Sequence, residues 1–586
     1  MTRKEKRILA SKLTKIYKIK NSQDVVDLHN AHLCLDKGKI KEAVGLAVPL
    51  SEKYPNNIDI WILLGSCALN LIDHHMAKVF FHRADEISPN NKIVYAGLGK
   101  AYFLNAEIIK SIEYLVKSIE LGIVDKSVYT ILYDILSKMG KFKTLIQVSE
   151  AYCDNTSDKQ VYFNLIRLYS EEHDFLKMID VIDLTLDRCR DLTSKERFDL
   201  ELKRKLFNHE YDDVIKLFDN YADRDDDIIV DVSMALRNKA DYKRAVKIIT
   251  EHNFENKNKY VEAQGVLSNI YSDMGNKEKV HETFNKLFEQ YPNESHSLRK
   301  NYATVLFREG NFEAANKYWA DRNTGQTINL GLNKFDGNDI ENIVVLPEQG
   351  IGDQIALMST LVNLKSNIFL LVEERMKDLL KDNFLGINAI TTEEFNKFNF
   401  MNDNTAFMNL GDLISEFPQK NSYLKVQKSR SFNFDKKTVG ISWKSSNGLS
   451  GYIRSVEFET MMTKIYDKNT KYISLQYGDT RYEQEIAKKN GWDISFDLVD
   501  PLIRLDDYAS LVYSLDYVVS VDNSLVHLCG AIGHNNTHVL IPYGSENMWY
   551  WGENFTLDPW YGILKLYRQF DERDWDKVLS EISINL

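Results

Sequence analysis

The stretch GKIKEAVGLAVPLSEKYPNN, residues 38–57, returns 34 residues further on as DHHMAKVFFHRADEISPNN, residues 73–91. Ala43 aligns with Ala77, and both stretches end in Pro-Asn-Asn. Related segments follow at spacings of roughly 31 to 36 residues until about residue 322, which gives about nine units. Units of this length bury their apolar faces only against their neighbours, so the pattern predicts an array of stacked helix pairs.

This pattern resembles the tetratricopeptide repeat, in which each unit is a pair of antiparallel helices. The resemblance implies an α-helical superhelix whose concave groove holds an extended peptide or another protein. The alternative is an array that serves only as a dimerisation or spacer element. We expect a helical extension over residues 1–26 and the repeat array over residues 27–325.

Bulk composition excludes several classes of protein. The net charge of −11 argues against a nucleic-acid partner and against binding to an anionic membrane surface. The five cysteines are scattered without a CxxC pair, as is typical of reduced thiols in a cytoplasmic protein. The basic N-terminus lacks the apolar core of a secretory signal, and no stretch is long and apolar enough to predict a membrane span. The acidic stretch DRDDDI, residues 223–228, lies between repeat helices, and we interpret it as a solvated loop rather than a metal site.

After Gly325 the 34-residue period ends, and apolar strand patterns alternate with helical ones. This alternation predicts parallel sheets covered by helices. The polar stretch 425–437 predicts a division into two Rossmann-like halves, residues 326–435 and 436–586, with a ligand crevice at the carboxyl ends of their strands. The strands are expected at residues 342–346, 367–372, 405–409, 438–443, 471–475, 516–521 and 537–541.

The first loop of interest is VLPEQGIGDQIALM, residues 345–358, where an apolar strand runs into Gly350, Gly352 and Asp353. The dinucleotide-binding fingerprint fails because its third glycine position is Ile355, and no GK[ST] follows that would make a P-loop. Taken alone, the loop leaves two interpretations of Asp353. It is either a functional carboxylate or simply the N-cap of the helix that follows.

Two more loops carry polar residues where a strand ends. In LDYVVSVDNSLVHLCGAIG, residues 515–533, a buried strand precedes a helix whose N-terminal N–H groups suit a phosphate. Ser524 and His527 are three residues apart on that helix, so the imidazole is expected to face the same crevice. In GISWKSSNGLSGYIRSVEF, residues 440–458, a flexible loop carries Lys444 and Arg454, a pairing typical of phosphate-binding loops but also of ordinary surface loops.

Together, PEQGIGDQIALMSTL, GISWKSS…IRSVEF, YISLQYGD, DDYASLVYSLDYVVSVDNSLVHLCGAIG and MWYW…DPWYGILKLYRQ…DWDKVL resemble tetratricopeptide-repeat bacterial glycosyltransferases. That group is related to the heptosyltransferases of glycosyltransferase family 9 and, more distantly, to O-GlcNAc transferase. The resemblance spans about residues 340–580. It implies a GT-B fold, an acceptor-side half before residue 436 and a donor-side half after it, a nucleotide-sugar donor, and no cofactor or metal.

The same resemblance implies a role for individual residues. Asp353 matches the catalytic base. The acceptor-side loop contains Gln349, Gly350 and Gly352. The donor-binding positions are Lys444, Arg454, Gln476, Tyr477, Asp522, Asn523, Ser524 and His527.

The expected function is transfer of a sugar to a hydroxyl group on a protein held by the repeats, with flagellin or another surface protein as acceptor. Two alternatives stay open. One is a transferase that acts on lipopolysaccharide or another glycan, and the other is a non-catalytic repeat scaffold with a decayed GT-B module. A homodimer formed through the repeats is also compatible with the sequence.

Overall fold

A computed structural model describes residues 14, 16–172, 174–320, 322, 331–381, 387–395, 397, 404–414, 417, 422–426, 432–445, 451–569 and 574–585. Most of the extension predicted over residues 1–26 lies outside the described residues, and its last part belongs to the first helix. The chain divides into two compact units, residues 1–204 and 205–586. The helical repeats therefore continue from the first unit into the second.

The first unit is built from consecutive α-helices that pack against their sequence neighbours. They are α1 (Ser22–Asp36), α2 (Ile40–Lys53), α3 (Ile58–Asn70), α4 (His74–Ile87), α5 (Lys92–Leu104), α6 (Ile108–Glu120), α7 (Lys126–Lys138), α8 (Phe142–Cys153), α9 (Lys159–Glu171), α10 (Phe175–Arg188) and α11 (Ser194–Phe207), the last of which crosses the boundary between the units.

The helix starts repeat with the period of the sequence. Asn57, Asn91 and Asp125, spaced 34 residues apart, each cap a helix by accepting hydrogen bonds from backbone N–H groups of its first turn. Such caps satisfy donors that the helix itself leaves unpaired. Asp73 caps α4 in the same way. The recurring Asn and Asp residues thus mark where these helices begin.

Small residues let the helices of the first unit pack closely. The buried ring of Phe81 on α4 lies between Gly65 of α3 and Gly97 of α5. A Cβ atom on Gly65 would lie 2.8 Å from that ring, and one on Gly97 would lie closer still. Ala77 and Ala84, also on α4, are completely buried. One large side chain therefore fills the space that its small neighbours leave open.

The second unit begins with more helices of the same kind, followed by an α/β region. The helices are α12 (Tyr211–Asn220), α13 (Asp226–Asn238), α14 (Tyr242–Glu251), α15 (Lys257–Asp273), α16 (Lys277–Gln290), α17 (Arg299–Arg308) and α18 (Phe312–Trp319). The acidic stretch 223–228 overlaps the start of α13, where two of its aspartates accept backbone hydrogen bonds. Asp225 caps the helix, and the Asp226 carboxylate accepts bonds from the backbone N–H groups of Glu255 and Asn256.

Two parallel sheets follow. The first has the order β1-β5-β2-β3-β4 and the second has the order β11-β10-β9-β6-β7-β8. All strand pairs within the sheets are parallel. The strands are β1 (Asn333–Lys334), β2 (Asn342–Leu346), β3 (Asn367–Leu371), β4 (Ile387–Ile390), β5 (Thr405–Asn409), β6 (Thr438–Ser442), β7 (Lys471–Ser474), β8 (Ile494–Ser495), β9 (Tyr517–Val521), β10 (Thr537–Ile541) and β11 (Lys565–Arg568).

The helices of this region cover the sheets. They are α19 (Ile351–Met358), α20 (Glu374–Leu380), α21 (Thr392–Phe395), α22 (Gly451–Arg454), α23 (Phe458–Ile465), α24 (Arg481–Asn490), α25 (Leu505–Tyr513), α26 (Ser524–Ile532) and α27 (Asp576–Asn585). The sheets change between β5 and β6, and part of the polar stretch predicted to separate them, residues 427–431, lies outside the described residues. Throughout the described ranges, every helix is too short or too polar to cross a membrane.

The prediction of parallel sheets is confirmed, and all seven expected strands are present within a residue or so of their expected bounds. The sequence missed β1, β4, β8 and β11, which are short or lie at the edges of their sheets. The strands β2 and β9 are apolar runs that are buried along most of their length, as expected for strands covered on both faces. Two of the three candidate loops follow these strands, and the third follows β6.

Candidate functional site

The site forms where two helix N-termini meet. Helix α19 follows β2 of the first sheet, and α26 follows β9 of the second. A Cβ atom on Gly352 would lie 3.1 Å from Ser524 Cα and 3.1 Å from His527 Cδ2. The absence of a side chain at Gly352 therefore allows this close approach. Gly350 has φ of −74°, and the left-handed conformation in this loop belongs instead to Gln349, at φ of 62°.

A cleft of about 80 Å³ lies between the two sheets. Most of its wall is apolar, and the polar groups gather at the start of α26 and at one arginine, Arg375. The lining residues are Ile351, Ile355, Arg375, Ser442, Leu475, Tyr477, Pro501, Leu502, Leu505, Tyr508, Asn523, Ser524, Leu525 and Leu528. Three of the predicted donor-binding residues, Tyr477, Asn523 and Ser524, thus line one cleft.

Arg375 is a cleft residue that the sequence did not reveal. It lies at the start of α20, pairs with Glu373 (Nε–Oε2 2.7 Å), and its Nη1 lies 3.5 Å from the carbonyl oxygen of Pro501. It reaches from the first half of the α/β region toward the second. A single lysine or arginine after a strand does not identify a binding site in the sequence, because such residues are common on surface loops.

Asp353 lies beside the cleft at the third position of α19. Gly350 is the N-cap, so the simple interpretation of Asp353 as the capping residue is wrong. The Tyr550 hydroxyl donates a hydrogen bond to Asp353 Oδ1 at 2.9 Å. Burial raises the pKa of the Asp353 carboxyl group, while this bond and the charges of Lys300 and Arg454 act against that rise. The result is a half-buried acid close to a helix N-terminus, with donors from the Tyr550 hydroxyl and the Gly350 backbone N–H.

Asp522 and Arg454 lie close to Asp353 in the same buried network. Asp522 is 1% exposed, and burial raises its pKa to about 6, although the nearby Arg454 favours the ionised form. The charge of Asp353 contributes to the rise. Arg454, which ends α22, is itself buried, and its charge favours the ionised form of both carboxylates. Two acids and one arginine therefore share the junction of the two halves.

His527 is placed differently from the expectation that it faces the crevice with Ser524. The imidazole is 4% exposed, stacks on Trp551 with ring centroids 5.0 Å apart, and shares a 3.1 Å hydrogen bond between Nδ1 and Tyr561 Oη. Burial lowers its pKa to about 3, which leaves it neutral at physiological pH. The aromatic side chains that cover this face of α26 come from after residue 548, and the helix periodicity does not reveal them.

The remaining predicted donor residues shape the loop after β6. Gln476 is buried, and its Oε1 accepts bonds from the backbone N–H groups of Trp443 and Lys444. Asn523 caps α26 and donates from Nδ2 to Ser442 Oγ at 2.9 Å. The side chain of Lys444 is exposed and is not part of the cleft wall described above. The segment after it, residues 446–450, lies outside the described residues.

A buried ion cluster holds Glu348, the residue just before the glycine loop 349–352. Arg322, which follows the last repeat helix, binds both carboxylate oxygens of Glu348 at 2.7 Å and also Asp412 Oδ1 at 2.7 Å. Trp319 Nε1 donates to the carbonyl oxygen of Gly411 at 2.9 Å. The partners of Glu348 are far from it in sequence, so the motif alone could not identify them. The cluster ties the glycine loop to the end of α18.

Comparison with known proteins supports the prediction of tetratricopeptide repeats. The family model described as "Tetratricopeptide repeat" matches residues 58–91, which confirms the prediction that the chain contains such repeats. A search of curated proteins finds no match. Within the described residues, no group of three or more His, Cys, Asp or Glu side chains is arranged to hold a metal ion.

Several solved structures are similar to parts of the chain. The Naa15/Naa10 complex bound to HypK-THB is 13% identical over 51% of this chain and 49% of its own, with a TM-score of 0.31. The C-terminal part of a TPR repeat-containing protein from Cytophaga hutchinsonii is 13% identical over 45% of this chain and 96% of its own, with a TM-score of 0.26. YrrB, described as a TPR protein with an unusual peptide-binding site, is 12% identical over 42% of this chain and 93% of its own, with a TM-score of 0.18. The chain thus spans about half the length of the Naa15/Naa10 chain that it matches.

Proposed function

We propose that this chain is a glycosyltransferase that moves a sugar from a nucleotide-sugar donor to a hydroxyl group on a protein acceptor. The observation that carries the proposal is the cleft at the carboxyl ends of two parallel sheets, where the N-termini of α19 and α26 meet beside Asp353. Ligands of open parallel sheets bind at such edges. Two Rossmann-like halves around one cleft are also what the GT-B fold requires.

The donor would bind along the cleft wall that Tyr477, Asn523 and Ser524 share. The apolar side chains there suit a nucleobase, and the N–H groups at the start of α26 suit a phosphate. Arg375 supplies a positive charge on the opposite wall. In this proposal Arg375 takes the role against the donor phosphate that the sequence assigned to Lys444 and Arg454.

Asp353 is the proposed base. It would take the proton of the acceptor hydroxyl as the oxygen forms its bond to the anomeric carbon. The bond from that carbon to the phosphate oxygen breaks, and the nucleoside phosphate leaves with the electron pair. Arg375 and the N-terminal end of α26 would stabilise the charge on that leaving group. Burial raises the pKa of Asp353, which makes its carboxylate a stronger base than an exposed aspartate.

The acceptor would be held by the helical repeats. Tetratricopeptide repeats are protein-binding arrays, so the structural expectation for this part of the chain is a protein partner. A flagellin or another surface protein is the proposed acceptor, modified in the cytoplasm. Transfer to a lipopolysaccharide or another glycan is the alternative acceptor class.

A nucleotide-binding experiment tests this proposal. Binding of UDP, GDP, ADP and CMP, measured by isothermal titration calorimetry, should identify one nucleotide that binds to the wild-type chain. Arg375→Met should weaken that binding at least about tenfold, since a charged hydrogen bond contributes roughly 1.5–3 kcal/mol. The matched control is Arg83→Met, which removes an exposed arginine of the first unit that pairs with Glu86.

The second candidate is a protein-binding scaffold without catalytic activity, which the repeats alone support. The two functions predict different results in the same titration. Binding of a nucleotide that Arg375→Met weakens and Arg83→Met does not supports the transferase. If no nucleotide or nucleotide-sugar binds to the intact chain, the scaffold is the better account.

A further inference from the structure

Tyr550 connects the candidate base to another part of the second unit. Its side chain is completely buried on the short 3₁₀ helix Trp549–Trp551, and its hydroxyl group donates to Asp353 Oδ1 at 2.9 Å. Tyr550 is 197 residues away from Asp353 in sequence. The position of this donor depends on what holds the segment that carries it.

That segment is held by helices of the repeat array, through three side chains that we call the repeat clamp: Arg237, Asp273 and Arg308. Arg237 binds Asp273 (Nε–Oδ2 2.6 Å) and Glu546 (Nη2–Oε1 2.8 Å). Asp273 Oδ1 accepts the backbone N–H of Ser545 at 2.7 Å.

Arg308 completes the clamp by binding the backbone of the segment that carries Tyr550. Its Nη1 lies 3.3 Å from the carbonyl oxygen of Gly544, 3.4 Å from that of Ser545 and 3.2 Å from that of Asn547. Gly544 has φ of 78°, which favours glycine, and Asp273 fills the space beside it. The clamp therefore fixes the backbone of residues 544–547 directly.

Aromatic packing also restrains the part of the segment that contains Tyr550. The Trp549 ring lies 4.8 Å from that of Phe307 on α17 and 6.4 Å from that of Trp319 on α18. Tyr550 itself packs on Trp560, with ring centroids 5.0 Å apart. Residues 544–551 are thus held from the repeat side at both ends, and Tyr550 projects from this segment toward Asp353.

We propose that Tyr550 is a positioning residue for the Asp353 carboxylate, and that the repeat clamp sets the place of Tyr550. The inference rests on the proposed function, because it assigns the last repeats a part in building the catalytic site. In this account these repeats do more than bind an acceptor. They fix the geometry of the base.

The charges around Asp353 determine what loss of Tyr550 would do. Lys300 of α17 and Arg454 favour the ionised Asp353 carboxylate, whereas Asp522 opposes it. The charge of Glu348, like that of Asp353, raises the pKa of the Tyr550 hydroxyl, and His527 is neutral. Since the Tyr550 bond stabilises the ionised form of Asp353, its removal raises the pKa of that carboxyl group further.

The first test is Tyr550→Phe, which removes the hydroxyl group and keeps the ring. The acid limb of the pH profile of kcat/KM should move to higher pH, and kcat at pH 7 should fall at least about tenfold, while the nucleotide Kd stays within about twofold. The matched control is Tyr567→Phe, which removes a hydroxyl group that lies 3.0 Å from His538 Nδ1 on β10. Its profile should equal that of the wild type.

The second test uses hydrogen exchange, which needs no turnover. Amides of residues 350–354 should exchange faster in both Tyr550→Phe and Arg308→Met than in the wild type, and Arg308→Lys should recover part of the protection. Tyr567→Phe should leave these amides unchanged.

These tests distinguish failure of the proposed function from failure of the positioning role of Tyr550. If the wild-type chain turns over no nucleotide-sugar, the proposed function fails, and hydrogen exchange alone decides whether Tyr550 positions Asp353. If turnover occurs but the acid limb of Tyr550→Phe coincides with that of the wild type, the positioning role is refuted. Unchanged exchange at residues 350–354 in Arg308→Met refutes the role of the clamp.

Discussion

Gly352→Ala tests the claim that two helix N-termini must approach closely at the site. The new Cβ atom would lie 3.1 Å from Ser524 Cα and from His527 Cδ2, about 0.3 Å inside the 3.4 Å at which ordinary contact begins. Overpacking of this kind destabilises a fold by about 1–3 kcal/mol, and the higher helix propensity of alanine offsets about 1 kcal/mol of that loss. We therefore expect a net loss of about 0–2 kcal/mol in the free energy of unfolding.

The same substitution should also slow turnover. If a displacement of about 1 Å costs about 100-fold in rate, a shift of about 0.3 Å between α19 and α26 costs about fourfold. Gly350→Ala is the matched control, since φ at Gly350 is −74° and its Cβ atom would lie an ordinary 3.5 Å from Asp353 Oδ2.

Steady-state turnover and denaturant unfolding of both variants measure the two effects. Gly352→Ala should be slower than Gly350→Ala while both remain folded. Equal rates in the two variants, or a crystal structure of Gly352→Ala with the helices unmoved, would refute the reasoning.

Two further substitutions test energies inferred from burial. Asp522 has a pKa of about 6 in the folded chain against an ordinary 3.8, so the folded state loses about 3 kcal/mol as pH rises from below 4 to above 6. Asp522→Asn removes that loss, so its free energy of unfolding relative to the wild type should increase by about 1.4 kcal/mol between pH 5 and pH 8, and a pH-independent difference in urea titrations would contradict the burial argument. Gly97→Ala should lower the Tm of the first unit because its Cβ atom enters the space of the Phe81 ring, whereas Gly45→Ala, with no atom within 4 Å of the new Cβ, should leave the Tm unchanged or raise it.

Local patterns in the sequence predicted the parts of the fold that depend on local physics. The repeat period predicted the array of helix pairs, and the capping residues Asn57, Asn91 and Asp125 recur with it. The apolar strands were found because a strand covered on both faces is a continuous apolar run, as in β2 and β9. The rule that ligands bind at the carboxyl ends of parallel strands also placed the cleft correctly.

The site itself depends on contacts between distant residues, and these could not be predicted. The sequence identified Asp353, but Tyr550, which binds it, is 197 residues away. It identified His527 by helix spacing, yet the aromatic residues that bury the imidazole come from a later segment. It proposed Lys444 and Arg454 for the donor phosphate but gave no indication of Arg375, which lines the cleft from the other half.

The most direct test of the central claim is the rate of donor turnover by Asp353→Asn. Nucleotide-sugar cleavage should be measured with and without acceptor, beside the wild type and Asp339→Asn, a control that changes an exposed aspartate. The account predicts that Asp353→Asn loses at least about 100-fold in kcat, as expected for a general base, while its nucleotide Kd and the activity of the control stay at wild-type values. Wild-type turnover by Asp353→Asn would contradict the account.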